Sequence, residues 1–370
     1  ILGFYLMLGG YCIKYTIANI GDFFGASWGV NGADSAAFFK GFYTDPVQTV
    51  AFTVIFVFLT VLITSVGVSK GIEKFSAIAM PALFVMLCIV IVRSVTLPGA
   101  SEGLAFVFKP NFDVFKGTGW ISVLASASGQ MFFSLSLASG CIIAYGSYLG
   151  KKENLESNAA IITAGDSIVA VLAGMAIMPA VFAFGLKPSG GPGLLFVSMT
   201  TVFQSMGTTG KFFQLAFWLL VFFAALSSSI GMMEAGISAI LDSRVKAGKP
   251  ASRVKVSVIM ALAAFVGNFL TTADSLGGNP KMNWFHLFGQ ADVLSVWDCL
   301  AEGILMPLTG LIMAILLGWV VPHSLDEEIE NGGARTFKTR GFYNFCIRWI
   351  GPLFMAMIVY GQFKDFFGAK

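Results

Sequence analysis

Residues 222–242 read FFAALSSSIGMMEAGISAILD, a serine run inside an apolar stretch. Ser227 and Ser228 follow Ala224 by three and four positions, so on a helix the alanine carbonyl and two hydroxyls share one face, one turn apart. Three oxygens on one face suit a hard, weakly held cation such as sodium. A packing seam is the other reading, since small residues let helix backbones approach closely. A second run, GQMFFSLSLASGCIIAYGSYLG at 129–150, sets Ser134, Ser136 and Ser139 among Ala138 and Gly140. Two readings stay open there too. The serines could bond back to the previous turn of a tightly packed helix, or the helix could break at the bilayer midplane, where freed carbonyls and hydroxyls would meet a cation and a substrate. The third feature is Asp166 in IITAGDSIVAVLAGMAIMP. An ionised carboxylate is costly in a membrane interior and faces a partner or a wet cavity there; a bound cation is its cheapest partner. Glu234 and Asp298 are further acids in or near apolar segments, and Asp242, beside Arg244, reads equally as an interfacial charge.

The elements that must hold these residues follow from composition. Of 370 residues 56% are hydrophobic and 12% charged, against about 25% charged in a soluble domain. Apolar stretches long enough to cross a hydrocarbon core recur throughout: about nine, at 1–20, 46–68, 76–97, 120–149, 158–186, 212–242, 253–271, 293–321 and 342–362. They are continuous rather than alternating, which predicts helices and not barrel strands. A single polytopic all-α integral membrane domain over 1–370 results.

Lys70, Lys74, Lys151, Lys152, Arg244, Lys246, Lys249, Arg253, Lys255, Arg335, Lys338 and Arg340 fall in one set of alternate loops; Lys40, Lys109, Lys116, Lys187, Lys211 and Lys281 fall in the other. The richer set is cytoplasmic by the positive-inside rule, which puts the C-terminus outside and predicts a multi-pass protein of the cell membrane. The outer loop at 187–210 could form a short helical lid, and the charged linker at 325–341 reads as a solvated connection. The first residues, ILGFYLMLGGYCIKY, carry no charged leader and begin inside a membrane helix, so the chain reads as a fragment.

Chemistry that breaks bonds finds no support. Cys12, Cys88, Cys141, Cys299 and Cys346 lie mostly in apolar segments without a C-x-x-C pair, and the two histidines, His286 and His323, stand beside loops. No phosphate-binding, nucleophile-elbow or zinc motif appears, and a net charge of +3 without a long basic run gives no reason to invoke nucleic acid. No enzyme and no organic cofactor are expected.

The segments GQMFFSLSLASGCIIAYGSYL, GPGLLFV with the following VF, and FFAALSSSI ending in AILD resemble, in this order, the neurotransmitter:sodium symporter family, in particular its bacterial eleven-helix amino-acid transporters. The resemblance implies a leucine-transporter-like five-plus-five inverted-repeat fold, with this chain supplying helices three to eleven and the unwound sixth helix at 129–150. It implies two sodium sites. Ser134 and Asp166 would be ligands of the first; Ala224, Ser227 and Ser228 would be ligands of the second. Phe133 and Ser136 would line the substrate pocket, Met232 would form a wall of it, and Tyr5 would contact the substrate carboxylate. Gln130 would stand just outside, in the external gate or anion region; Asp298 and Asp242 would be the acidic members of the external and internal gates. Asp166 stands where the family often has asparagine, and its fixed charge implies independence from chloride. Ala138 and Ser139 stand where relatives often have glycine and a bulky residue, so Ser139 would leave room for a hydrophobic or aromatic amino acid. Without the first two helices, which carry the remaining ligands, this stretch by itself should not transport. The expected activity is sodium-coupled amino-acid symport by alternating access, in a bilayer, with a second copy of the chain (a homodimer) as a candidate partner. A proton-coupled transporter of similar fold and a non-transporting sensor or fragment are the alternatives.

Overall fold

The computed structural model describes residues 1–116, 119–150, 153–186, 188, 191–330 and 336–367. Lys151, Lys152, Lys187 and Arg335, used above for orientation, lie outside the described residues. Among those described, all regular structure is helical. Seven helical segments are long and apolar enough to cross a membrane: 46–66, 68–95, 155–183, 207–246, 253–274, 293–320 and 340–361. The first apolar stretch forms helix α1 (Leu2–Phe23), long enough but made more polar by Lys14, Asn19, Asp22 and its glycines. The fourth is divided into α6 (Gly119–Ser134) and α7 (Cys141–Ser147). The chain packs as two compact units.

The unit built from 2–110 and 169–283 holds α1, α2 (Ser35–Tyr43), α3 (Pro46–Val66), α4 (Lys74–Val95), α5 (Ala100–Phe108), the later part of α8 (Leu155–Ala183), α9 (Met199–Ser205), α10 (Gly210–Lys246) and α11 (Arg253–Asp274). Helix α3 is inside-out amphipathic. On α3 the buried face carries Thr49, Thr53, Thr60 and Thr64 around Phe56, whereas Val54, Phe58, Leu62 and Val66 are exposed. Each of these threonine hydroxyls donates to the carbonyl four residues back, so its polar atom is satisfied within its own helix. Asp45 caps α3 by accepting from the Val47 and Gln48 amides, and Pro46 occupies the first turn.

Helix α1 is the hub, packed on α10, α3 and α11. Its approach to α3 requires glycine: a Cβ on Gly10 would stand 2.7 Å from the Thr53 nitrogen. Lys14, inside this helix, is caged by aromatic rings, its ammonium 5.5 to 5.8 Å from the centroids of Phe38, Phe42 and Phe52. Cation–π attraction offsets part of the cost of a cation at this depth. The 187–210 loop is helical at 194–198 and in α9. Phe196 from it stacks on Phe39 and Trp218, with centroids 5.3 Å away in both cases. Gln204 ties α9 to the 30–35 loop through bonds to the Val30 and Ala33 carbonyls and from Ser35.

The other unit takes Ile1, 111–168 and 284–370. It holds α6, α7, the start of α8, α12 (Val293–Asp298), α13 (Met306–Ile315), α14 (Ser324–Glu330), α15 (Arg340–Phe345) and α16 (Gly351–Phe367). Phe132, Met306 and Ile358 form its core, with Leu137, Ala138 and Met355 packed against it. The described parts of the 325–341 linker, 325–330 and 336–341, are tied down by side chains. Asp326 is buried and bonded by Arg340 and His323, while Thr339 donates from both its amide and its hydroxyl to Glu156 at the start of α8. The ion pair of Arg340 with Asp326 and the hydrogen bonds from Thr339 to α8 hold these parts.

Candidate functional site

Helix α6 ends at Ser134, and six residues, Leu135–Gly140, run as turns before α7 begins at Cys141. Ser136, Ala138 and Gly140 have φ of 52°, 59° and 85°. Non-glycine residues in the left-handed region are costly and persist where packing holds them. Here Leu137 and Ala138 pack on the core of their unit, and the Ser139 hydroxyl donates to the Ser136 carbonyl at 2.8 Å. Of the two readings of this segment, the broken helix is the one observed.

At the end of α6 the Ser134 hydroxyl donates to Asp166 Oδ1 at 2.5 Å. Asp166 lies mid-way along α8, half-buried. A hydroxyl and a carboxylate, both hard oxygens, stand side by side where a helix has opened its backbone. Phe133, half-buried, and Gln130, exposed, precede Ser134 on α6; Ser136 and Ser139 lie within the break, half-buried. Asp298 closes α12, and within the following π-helical turn, Cys299–Leu305, Glu302 lies within hydrogen-bonding reach of it. Glu302 escaped the sequence reading, although its spacing of four from Asp298 signals a shared face.

In the other unit, Ala224, Ser227 and Ser228 share a face of the unbroken α10. Ser227 donates to the Ala224 carbonyl at 2.9 Å. Ser228 is exposed and within hydrogen-bonding reach of the Tyr5 hydroxyl of α1. Ser229, on the opposite side, is buried and bonded to Thr60 of α3 at 3.0 Å and to the Leu226 carbonyl. Met232 is half-buried one turn past Ser228, and Asp242 is exposed near the end of α10. Glu234 is fully buried and paired with Arg253 of α11, which also donates to the Thr64 carbonyl at 2.7 Å.

Two residues that position Tyr5 went unseen in the sequence. Asn268 of α11 accepts from the Met7 amide at 2.8 Å and donates to the Leu2 carbonyl at 2.7 Å, and Thr271 reaches the Gly3 carbonyl at 3.3 Å. Together they clamp the backbone of α1 on both sides of Tyr5. The helices touch through glycine, since a Cβ on Gly267 would stand 2.8 Å from Gly3 Cα. Only the polar types of Asn268 and Thr271 inside an apolar span could have signalled this.

Sodium fits both donor sets by chemistry. Ser134 and Asp166 offer hydroxyl and carboxylate oxygens; Ala224, Ser227 and Ser228 offer a carbonyl and two hydroxyls. Neither set contains a thiolate or an imidazole, and hydroxyl, carbonyl and carboxylate oxygens suit a hard cation better than a soft transition metal.

Long apolar helices, with one helix interrupted beside a hydroxyl and a carboxylate, fit the class of membrane transporters. Comparison with known proteins narrows the class. Residues 45–368 match the Sodium:neurotransmitter symporter family. The sodium-dependent transporter YhdH of Bacillus subtilis (strain 168) is 34% identical over 361 residues, covering 97% of this chain and 76% of its own length. A sodium-dependent transporter of Haemophilus influenzae is 34% identical over 366 residues, covering 97% and 75%. The crystal structure of MhsT in complex with L-phenylalanine superposes with a TM-score of 0.84 at 30% identity, covering 98% of this chain and 78% of that one. The chain belongs to the sodium:neurotransmitter symporter family, a family of transporters and not of enzymes, and has the leucine-transporter-like all-α membrane fold.

Proposed function

We propose that the protein is a sodium-coupled symporter of hydrophobic or aromatic amino acids that works by alternating access without chloride. The observation that carries this reading is the Asp166 carboxylate 2.5 Å from the Ser134 hydroxyl at the broken end of α6. A fixed negative charge there holds a cation and leaves no need for a second anion. Ser134 and Asp166 are ligands of one sodium; Ala224, Ser227 and Ser228 are ligands of another. Tyr5, Phe133, Ser136, Ser139 and Met232 meet the substrate, and Gln130, Asp298 and Asp242 serve the gates. The complex of MhsT with L-phenylalanine supports the aromatic preference, as does the small side chain of Ser139. Coupling requires that sodium bind the substrate-accepting state more tightly than the other state, because a ligand without differential affinity shifts nothing. The richer lysine and arginine loops face the cytoplasm, with the C-terminus outside.

The test is uptake of radiolabelled phenylalanine, leucine and alanine by the full-length protein in liposomes, under an inward sodium gradient and under a matched choline gradient. Accumulation with sodium alone, competed best by phenylalanine and undiminished when gluconate replaces chloride, is the expected result. Uptake driven by external acid and indifferent to sodium would replace this reading with proton coupling. Binding without accumulation would replace it with a sensor.

A further inference from the structure

In a regular α-helix each amide closes on the carbonyl four residues back, so the Met7 amide of α1 belongs with the Gly3 carbonyl. These two groups bracket Tyr5, and both meet side chains of α11. The Met7 amide donates to Asn268 Oδ1 at 2.8 Å, and the Gly3 carbonyl accepts from Thr271 Oγ1 at 3.3 Å. Asn268 Nδ2 donates in addition to the Leu2 carbonyl and to the Ala264 carbonyl of its own helix, both at 2.7 Å. A carboxamide has one oxygen and two N–H hydrogens to offer; Asn268 has all three engaged and is fully buried. A side chain that enters the ladder in this way is one of the few causes of a local bend in a helix. The turn that carries Tyr5 is therefore held by α11 as well as by its own helix.

Nothing flexible intervenes between the two helices. Gly267, Asn268 and Thr271 share one face of α11, and a Cβ on Gly267 would stand 2.8 Å from Gly3 Cα. Backbone touches backbone, and the hydrogen bonds from Asn268 and Thr271 end on backbone atoms of α1. The Tyr5 hydroxyl, in turn, lies within hydrogen-bonding reach of Ser228 on α10. Three helices thus meet at one turn, and a displacement at Asn268 is passed to the Tyr5 hydroxyl through the backbone.

We propose that Asn268 is a positioning residue for transport: it sets the place of the Tyr5 hydroxyl beside Ser228, and through it both the affinity for substrate and the dependence of that affinity on sodium. It touches neither ligand. The inference rests on the functional reading above, in which Tyr5 meets the substrate and Ser228 a sodium ion. On that reading the two ligands act on adjoining hydroxyls, and because coupling between two ligands is reciprocal, moving Tyr5 off Ser228 weakens it for both.

Two measurements on the full-length protein in nanodiscs test this, with Asn268→Leu as the variant of similar size. The first is the fluorine resonance of 3-fluorotyrosine placed at position 5. Ser228→Ala and Asn268→Leu should each move it, and Ser228→Ala should add little once Asn268 is replaced. A resonance that Asn268→Leu leaves in place overturns the proposal, whatever the protein transports. The second is equilibrium binding of radiolabelled phenylalanine at low and at saturating sodium. Asn268→Leu should shrink the gain in affinity that sodium brings by about 5–10-fold, but by less than about 2-fold in the Tyr5→Phe background. Equal losses in both backgrounds would mean a general structural defect and would also overturn it. Fluorine shifts as expected without sodium-dependent binding in the unaltered protein would sink the functional reading instead, since the shifts report the placement of Tyr5 by themselves. Should Asn268→Leu not fold, Thr271→Val, which removes the bonds of one hydroxyl, is read in the same way with a smaller shift.

Discussion

Two serine-rich segments of nearly the same composition have opposite backbones. LSLASG at 135–140 leaves the helix, with Ser136 and Ala138 in the left-handed region, whereas AALSSS at 224–229 stays within the 37-residue α10. Where the helix persists, alternate hydroxyls are tied down: Ser227 to Ala224, and Ser229 to Leu226 and Thr60. The break has a different support. Its positive-φ residues are held by packing of Leu137 and Ala138 on Phe132, Met306 and Ile358, and its glycine opens α7 with φ of 85°. Serine in a membrane helix permits either outcome, and the neighbours choose between them.

The most damaging change should be Asp166→Ala. On the proposed reading it removes the carboxylate bonded to Ser134 and should lower apparent sodium affinity by roughly 100-fold, near the top of the range for coupled ligands; uptake against sodium concentration measures it, and Asp166→Asn should lose less. A smaller effect, about 5–10-fold in the same assay, is expected for Ser228→Ala in the unbroken segment. Because Ser228 reaches Tyr5, Tyr5→Phe and Ser228→Ala should couple by at least about 0.5 kcal/mol in a double-mutant cycle of substrate affinity. Additive effects would mean that the two hydroxyls work apart.

Glycine substitutions sharpen the contrast directly. Ser136→Gly suits a φ of 52° and should leave thermal stability in detergent unchanged or slightly raised. Ser229→Gly sits in a helix interior and also loses the Thr60 bond, so it should cost about 1–2 kcal/mol. If the two variants melt alike, backbone conformation is not what separates the segments.

The smallest effect concerns the 325–341 linker. Burial pushes the Asp326 carboxyl up, but His323 and Arg340 outweigh it and hold the group below the usual carboxylate range. A carboxyl depressed in the folded state stabilises above its unfolded value and loses that contribution as pH falls through its folded value. Hydrogen exchange of α14 should therefore accelerate only in acid, below about pH 4, and Asp326→Asn should make it fast and insensitive to acid.

Much of the architecture was legible as hydropathy, because a backbone in lipid must satisfy its hydrogen bonds within each span, which leaves a continuous apolar run few forms to take. The sequence by itself determined the all-α membrane class, the apolar spans, and the presence of Ser134, Asp166 and the Ala224, Ser227, Ser228 face as unusual polar groups. It left the state of 129–150 open, since serine, alanine and glycine allow a seam as readily as a break. Tertiary structure alone decided that break, the approach of Asp166 to Ser134 across 32 residues, and the clamp of Asn268 and Thr271 around Tyr5 from more than 260 residues away. It also decided the pairing of Arg340 with Asp326. The reason is physical: periodicity along a chain reports which residues face apolar surroundings, but a hydrogen bond between distant residues depends on where two helices cross, and packing sets that.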